Sequence, residues 1–194
     1  MIKAILFVAV LTLVVGSFAR AQEAGGSASS GGQAKILILH FSKTGNTKAV
    51  AEQIQARVGG DLFQVATKKP YPEDYRETTR VARVEQDNNA RPELAATIPA
   101  DDMQRYDVIF VGYPNWWGTI PMALFTFLEQ YDLSGKMIVP FCTHEGSGLG
   151  RGPADIGRLC PDSTVRQGLA VRGGSAGSAQ NEVAGWLRQL GYAQ

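Results

Sequence analysis

Residues 40–50 read HFSKTGNTKAV and follow directly on the apolar run KILIL of residues 35–39. A buried strand is passing into a helix here, and the passage is unusually rich in small hydrogen-bonding side chains: Ser42, Thr44, Asn46 and Thr47 around Gly45. A helix start leaves its first amide protons unpaired and carries a partial positive charge, so it attracts anions. Gly45 permits a tight turn and close backbone approach, and the hydroxyls and carboxamide add donors. Such a loop can surround a terminal phosphate without a fixed cation. A well-capped helix start with no ligand would use the same residue types. Two commoner phosphate loops are excluded: His40 stands where a nucleoside-triphosphate loop needs its first glycine and Asn46 where it needs lysine, and the three-glycine dinucleotide fingerprint has only Gly45.

Working outward, apolar strands alternate with helical patterns. Strands are expected over 35–41, 61–66, 107–113, 136–142 and 163–171, the last with the mixed polarity of an edge. Helices are expected from Val50, Ile54 and Val58 up to Gly59-Gly60, over 72–90, over 121–131 behind Pro121, and over 178–191 with Ser178 as cap and Gly191 as stop. Within 72–90, Glu73 with Arg76 and Glu77 with Arg80 predict a solvated charged face, and 91–106 reads as a surface excursion. This alternation predicts one α/β domain over 35–194, a doubly wound parallel sheet of five strands. Ligands of such sheets sit beyond the carboxyl ends of the strands.

Two further loops at that rim carry unusual residues. GYPNWWGTIP (112–121) places Trp116 and Trp117 inside a turn marked by Pro114, Asn115 and Gly118. Adjacent exposed aromatics suit a planar ligand, because offset stacking adds about 0.5–1.5 kcal/mol beyond burial. One indole could instead fold back as core. CTHEGSGLGRG (142–152) sets Thr143, His144, Glu145 and Ser147 among Gly146, Gly148, Gly150 and Gly152. Nothing pairs His144 or Glu145 into a hydrolytic triad, and no His/Cys/Asp/Glu cluster has metal-ligand spacing.

Together these loops resemble flavodoxin and the wider flavodoxin-like family of flavin mononucleotide (FMN) proteins. SKTGNT is similar to that family's phosphate loop, GYPNWWGTIP to the loop over the flavin ring in short bacterial members, and FCTHEGSG to the second ring loop. The resemblance spans roughly 35–192 and implies FMN as cofactor and a strand order of 2-1-3-4-5. It implies that Ser42, Lys43, Thr44, Gly45, Asn46 and Thr47 surround the phosphate. Pro114, Asn115, Trp116, Trp117 and Gly118 would line one side of the ring, with Trp116 the favoured stacking indole. Thr143, His144, Glu145, Gly146, Ser147 and Gly148 would border the other edge. The implied function is electron transfer to a redox partner protein or a small acceptor such as a quinone. Two alternatives stand beside it: an FMN-dependent NAD(P)H:quinone (or similar acceptor) oxidoreductase of the same fold, and a non-redox binding module on this scaffold.

The amino terminus adds an expectation of export. Lys3, an apolar stretch of about 15 residues and Ala19-Arg20-Ala21 read as a secretory signal cleaved before Gln22, the stretch falling short of the roughly 20 residues of a membrane span; an uncleaved membrane anchor is the alternative. Residues 22–34 (QEAGGSASSGGQA) read as a disordered tether. Cleavage removes Lys3 and Arg20 and no acid, taking the formal charge from +1 to −1. That near-neutral balance gives no basis for nucleic-acid binding, and it departs from the strongly acidic surface of many flavodoxins. Cys142 and Cys160 fall at opposite ends of the sheet and are expected to remain free thiols.

Overall fold

The structure, a computed structural model, describes residues 34–192; the expected signal and nearly all of the tether lie outside the described residues. In chain order the elements are β1 (Ile36–His40), α1 (Asn46–Val58), β2 (Asp61–Gln64), α2 (Tyr75–Asp87), α3 (Ala100–Gln104), β3 (Val108–Pro114), α4 (Met122–Leu128), β4 (Met137–His144), α5 (Gly152–Leu159), β5 (Thr164–Val165), β6 (Leu169–Arg172) and α6 (Gln180–Leu190). The sheet is parallel and ordered β2-β1-β3-β4-β5, with β6 also on β4. This is the doubly wound arrangement of a flavodoxin-like fold.

The two-residue period of each strand divides the core. Leu37, Leu39, Ile109, Val111 and Ile138 face the side covered by α4 and α5, where Leu124, Phe127 and Ile156 pack. Ile38, Phe110, Val139 and Phe141 face the other side, against Val50 and Ile54 of α1 and Val183, Trp186 and Leu187 of α6. Strands covered on both faces need no polar alternation, and that is why they read as continuous apolar runs.

Three expectations need correction. The single last strand over 163–171 is two short ones, β5 and β6, which follow one another along β4. Gly168 marks the break: a Cβ there would lie 2.9 Å from the Pro140 carbonyl oxygen and 3.0 Å from Leu149. Pro140 is accommodated for the same reason. The Ile138 carbonyl on that edge accepts from the Arg166 amide, so Pro140, two residues on, turns its missing N–H toward the gap between the two strands. Secondly, Ser178 ends a 3₁₀ turn (Gly173–Ser178) and bonds Ser175, while Ala179 precedes α6 without a side-chain cap. Thirdly, Glu73 pairs with Lys43 at 3.0 Å rather than with Arg76, although Arg80–Glu77 forms as expected. The excursion over 91–106 lies largely at the surface as expected, pinned where α3 buries Met103 and Leu94 bridges to Thr67. Cys142 and Cys160 are both free and buried.

His40 ends β1 on the α1 side, 1% exposed, with neither ring nitrogen hydrogen-bonded. Burial, with a smaller contribution from Lys48, lowers its pKa from 6.5 to about 4. The folded pKa therefore lies below the unfolded one, and the unfolded chain binds the extra proton between them. Stability should fall as pH drops from about 6.5 to 4 and then level, by about 3 kcal/mol in all. Urea unfolding of wild type and His40→Leu across this range checks it; parallel pH profiles would refute it.

Candidate functional site

Beyond His40 the backbone leaves the sheet, and Gly45 enters α1 at φ +90°, the left-handed region where L side chains are strained. The N-cap position, Gly45, has no side chain to offer this helix. The Lys48 amide reaches Ser42 Oγ at 3.2 Å and the Ala49 amide reaches the Gly45 carbonyl. Among the described residues, the amides of Asn46 and Thr47 have no protein acceptor. The Lys43 ammonium is committed to Glu73. Positive potential in front of the loop thus comes from free amides and the helix dipole, not from a side-chain cation. Thr47 Oγ1 lies 2.8 Å from Thr143 Oγ1 in a buried pair that joins the first turn of α1 to the end of β4.

The tryptophan loop is a two-residue hairpin turn. The Trp116 and Thr119 backbones exchange hydrogen bonds, and the central residues have φ +51° (Trp117) and +83° (Gly118). Positive φ at both positions is the mirror-image turn that matches strand twist, easy for glycine and strained for tryptophan. The two indoles therefore diverge. Trp116 turns inward, edge-on to Phe41 at 5.3 Å and Tyr71 at 5.0 Å. Trp117 is half exposed, donates Nε1–H to the Thr79 carbonyl at 2.9 Å, and carries the Arg83 guanidinium 5.4 Å from its ring centre.

The turn is held from behind by the chain entering α5. The Arg151 amide donates to the Gly118 carbonyl at 2.8 Å, and Asn115 Nδ2 donates to the Gly148 carbonyl at 2.8 Å. The third loop folds on itself: Gly146 N–H donates to His144 Nδ1 at 2.8 Å, so a neutral ring carries its proton on Nε2. Cys142 donates to the Gly148 carbonyl, and burial pushes its thiol up to about 12, which leaves no thiolate for nucleophilic work. Behind this loop a Cβ on Gly173 would meet Glu145 Oε1 and Asn46 Nδ2 at 2.3 and 2.9 Å.

These pieces enclose two adjoining clefts. One, about 550 Å³, runs from Thr44 and Asn46 past Pro114, Asn115 and Trp116 to Thr143, His144, Glu145, Gly146 and Ser147. The other, about 460 Å³, lies between Trp116–Trp117 and α2 and includes Lys43, Thr44 and Thr47. Both fall in the roughly 300–1,000 Å³ range of small-molecule sites. Thr44, Tyr75, Pro114, Asn115 and Trp116 line both. Asn115 lines both clefts and buries its Oδ1 without a hydrogen-bond partner. Ser42, Gly45, Gly118 and Gly148 shape the loops rather than the walls. Sequence reading missed Tyr75, Thr78, Thr79 and Ala82 of α2, and Gly173. The signal available for α2 was its mixed stripe at i, i+3, i+4, i+7, opposite the charged face. Among the described residues no group of His, Cys, Asp and Glu could hold a metal ion, and no helix is long and apolar enough to cross a membrane.

A fold of this topology, with phosphate-type, aromatic and glycine-rich loops on one rim, defines a class of α/β nucleotide-binding proteins. The chain belongs to the flavodoxin family, whose model matches residues 35–190. Among solved structures it is similar to a candidate flavoprotein of Bacteroides eggerthii, 32% identical, covering 81% of this chain and 98% of that one with a TM-score of 0.70. It is also similar to a flavoprotein of Lactobacillus acidophilus solved in complex with FMN, 26% identical, covering 73% and 95% with a TM-score of 0.60. A Cupriavidus metallidurans protein named NAD(P)H dehydrogenase (quinone) is 32% identical over 98 residues, 50% of this chain. The chain spans about half the length of that curated relative, 46%.

Gly150 reports on the packing behind the turn. At φ +58°, an added Cβ would lie 2.3 Å from the Gly118 carbonyl and 2.8 Å from Asn115 Nδ2. Gly150→Ala should destabilise the protein by about 2–3 kcal/mol through strain and overpacking. Unfolding in urea measures this, and an unchanged midpoint would show that the turn yields freely.

Proposed function

We propose that this chain is an FMN-binding electron-transfer protein, with the flavin phosphate on the Ser42–Thr47 loop and the ring in the cleft between Trp116 and the His144–Gly148 loop. The observation that carries this reading is the pair of unassigned hydrogen-bonding resources at one rim: free Asn46 and Thr47 amides at one end, a buried unpartnered Asn115 Oδ1 farther in. A phosphate needs the first and a ring N–H suits the second, so the residues present fit the group. Lys43 is drawn off by Glu73, and the cradle is the uncharged kind that suits a terminal monoester.

When bound, the flavin supplies the capacity to accept and release electrons. The protein's share is placement and potential. Thr143 can donate to Thr47, which leaves the Thr47 hydroxyl proton for a phosphate oxygen. Trp116, braced edge-on by Phe41 and Tyr71, offers a rigid aromatic wall. Glu145, exposed at the other edge, opposes accumulation of negative charge on a ring beside it. A redox partner protein or a small acceptor such as a quinone takes the electrons. The apolar stretch near the amino terminus is read as an export signal, so the flavin is loaded after export and the site works outside the cytoplasm.

A second reading is favoured by the cleft between Trp117 and α2, which could seat a substrate beside the ring, and by the quinone dehydrogenase name of the Cupriavidus relative. It is an FMN-dependent NAD(P)H:quinone oxidoreductase. Steady-state turnover of NAD(P)H with a quinone separates the two, since an electron carrier gives negligible rates.

Titration with FMN tests the common core of both: flavin fluorescence should quench and the visible bands shift. Thr44→Ala with Thr47→Ala should weaken binding by about 2–4 kcal/mol, from two lost charge-assisted hydrogen bonds. Unchanged affinity would place the phosphate elsewhere.

A further inference from the structure

Asp155 is a carboxylate buried to 2% exposure one turn into α5, outside both clefts. Its partners are Arg151 Nε at 3.2 Å, a guanidinium nitrogen of Arg158, and the Thr119 hydroxyl. The two arginines are mostly solvent-exposed, whereas Thr119 is 0% exposed. So the carboxylate is neutralised from outside while its inward bond goes to one residue. Thr119 is the closing position of the Trp116–Thr119 turn. That turn holds a tryptophan at positive φ, which does not persist unless its surroundings over-determine it. Asp155 and Arg151 act on both of its last residues, the side chain on Thr119 and the Arg151 amide on the Gly118 carbonyl.

We propose that Thr119 and Asp155 are a positioning pair that fixes the Trp116–Trp117 turn and so sets the fit of the flavin ring against it. The proposal rests on the flavin-binding reading for its second half only. A hydrogen bond to a buried carboxylate is strong and directional, and it is well suited to holding a strained turn in one state. Loss of the Thr119 hydroxyl frees the turn to relax toward easier backbone angles. Trp117 then leaves Thr79 and Arg83, and the Trp116 wall loses its registration with Asn115.

The test is Thr119→Val, which removes the hydroxyl at nearly constant shape, with Thr119→Ser as the variant that restores it. In flavin-free protein, acrylamide quenching of the Trp117 emission, isolated by difference against Trp117→Phe, should rise in the valine variant and return to the wild-type value in the serine variant. The FMN dissociation constant should rise about tenfold in the valine variant and stay within about twofold in the serine variant. A purely structural role predicts a lower melting temperature with both readouts unchanged, and that result overturns the proposal. Should Thr119→Val fail to fold, Asp155→Asn keeps an acceptor for Thr119 without the charge: about a threefold weaker FMN affinity and increased quenching are expected, and no change in either overturns it. Wild-type protein that binds no flavin defeats the functional reading, while the quenching comparison still decides whether the pair holds the turn.

Discussion

Parallel pairing is the constraint on which the rest depends. In a parallel sheet every strand ends on the same edge, and β1, β3 and β4 lie side by side. Loops beginning near residues 41, 115 and 145, far apart in sequence, are thereby delivered to one rim. The Thr47–Thr143 hydroxyl pair closes that rim directly, and the Asn115 amide, donating to the Thr143 carbonyl, brings the middle loop to the same residue. Thr143 is the hinge point of the whole arrangement. Apolar burial on both faces makes the strands rigid, and the rigid strands make the loop starts coincide.

The fold was legible because buried parallel strands leave an unmistakable mark, as in ILIL before His40 and VIFVGY before Pro114. Ser42 to Thr47 was legible as the start of α1, because small hydrogen-bonding residues around a glycine collect where a strand passes into a helix. The α2 wall was not. Tyr75, Thr78, Thr79 and Ala82 line a cleft, yet they alternate with charged residues that dominate the helix, and Tyr75 itself is 77% exposed. Local pattern describes what a helix offers to water, and it says little of what stands one side chain away. The split into β5 and β6 was hidden for a related reason: Gly168 is shaped by the Pro140 backbone and Leu149, neither of them its sequence neighbour. Ser178 misled because a serine before a helix is usually its cap, and here the residues from Gly173 form a 3₁₀ turn of their own.

The divergence of the indoles shows how a two-residue turn separates adjacent identical side chains. With Trp117 and Gly118 both at positive φ, the chain reverses within one residue of Trp116. One ring joins Phe41 and Tyr71 in the core margin, and the other reaches across to Thr79. Sequence alone showed two aromatics in a loop; the backbone angles assign one as wall and the other as bridge to α2.

The Lys43–Glu73 ion pair has a consequence for how such a site responds to its surroundings. A cradle built on a free cation grips its anion through a field that dissolved electrolyte screens within about 8–10 Å. Here that cation is already spoken for, and the remaining grip is by amides and hydroxyls at contact distance. Retention of an anionic tail would then depend less on ionic strength than a grip by a free cation would.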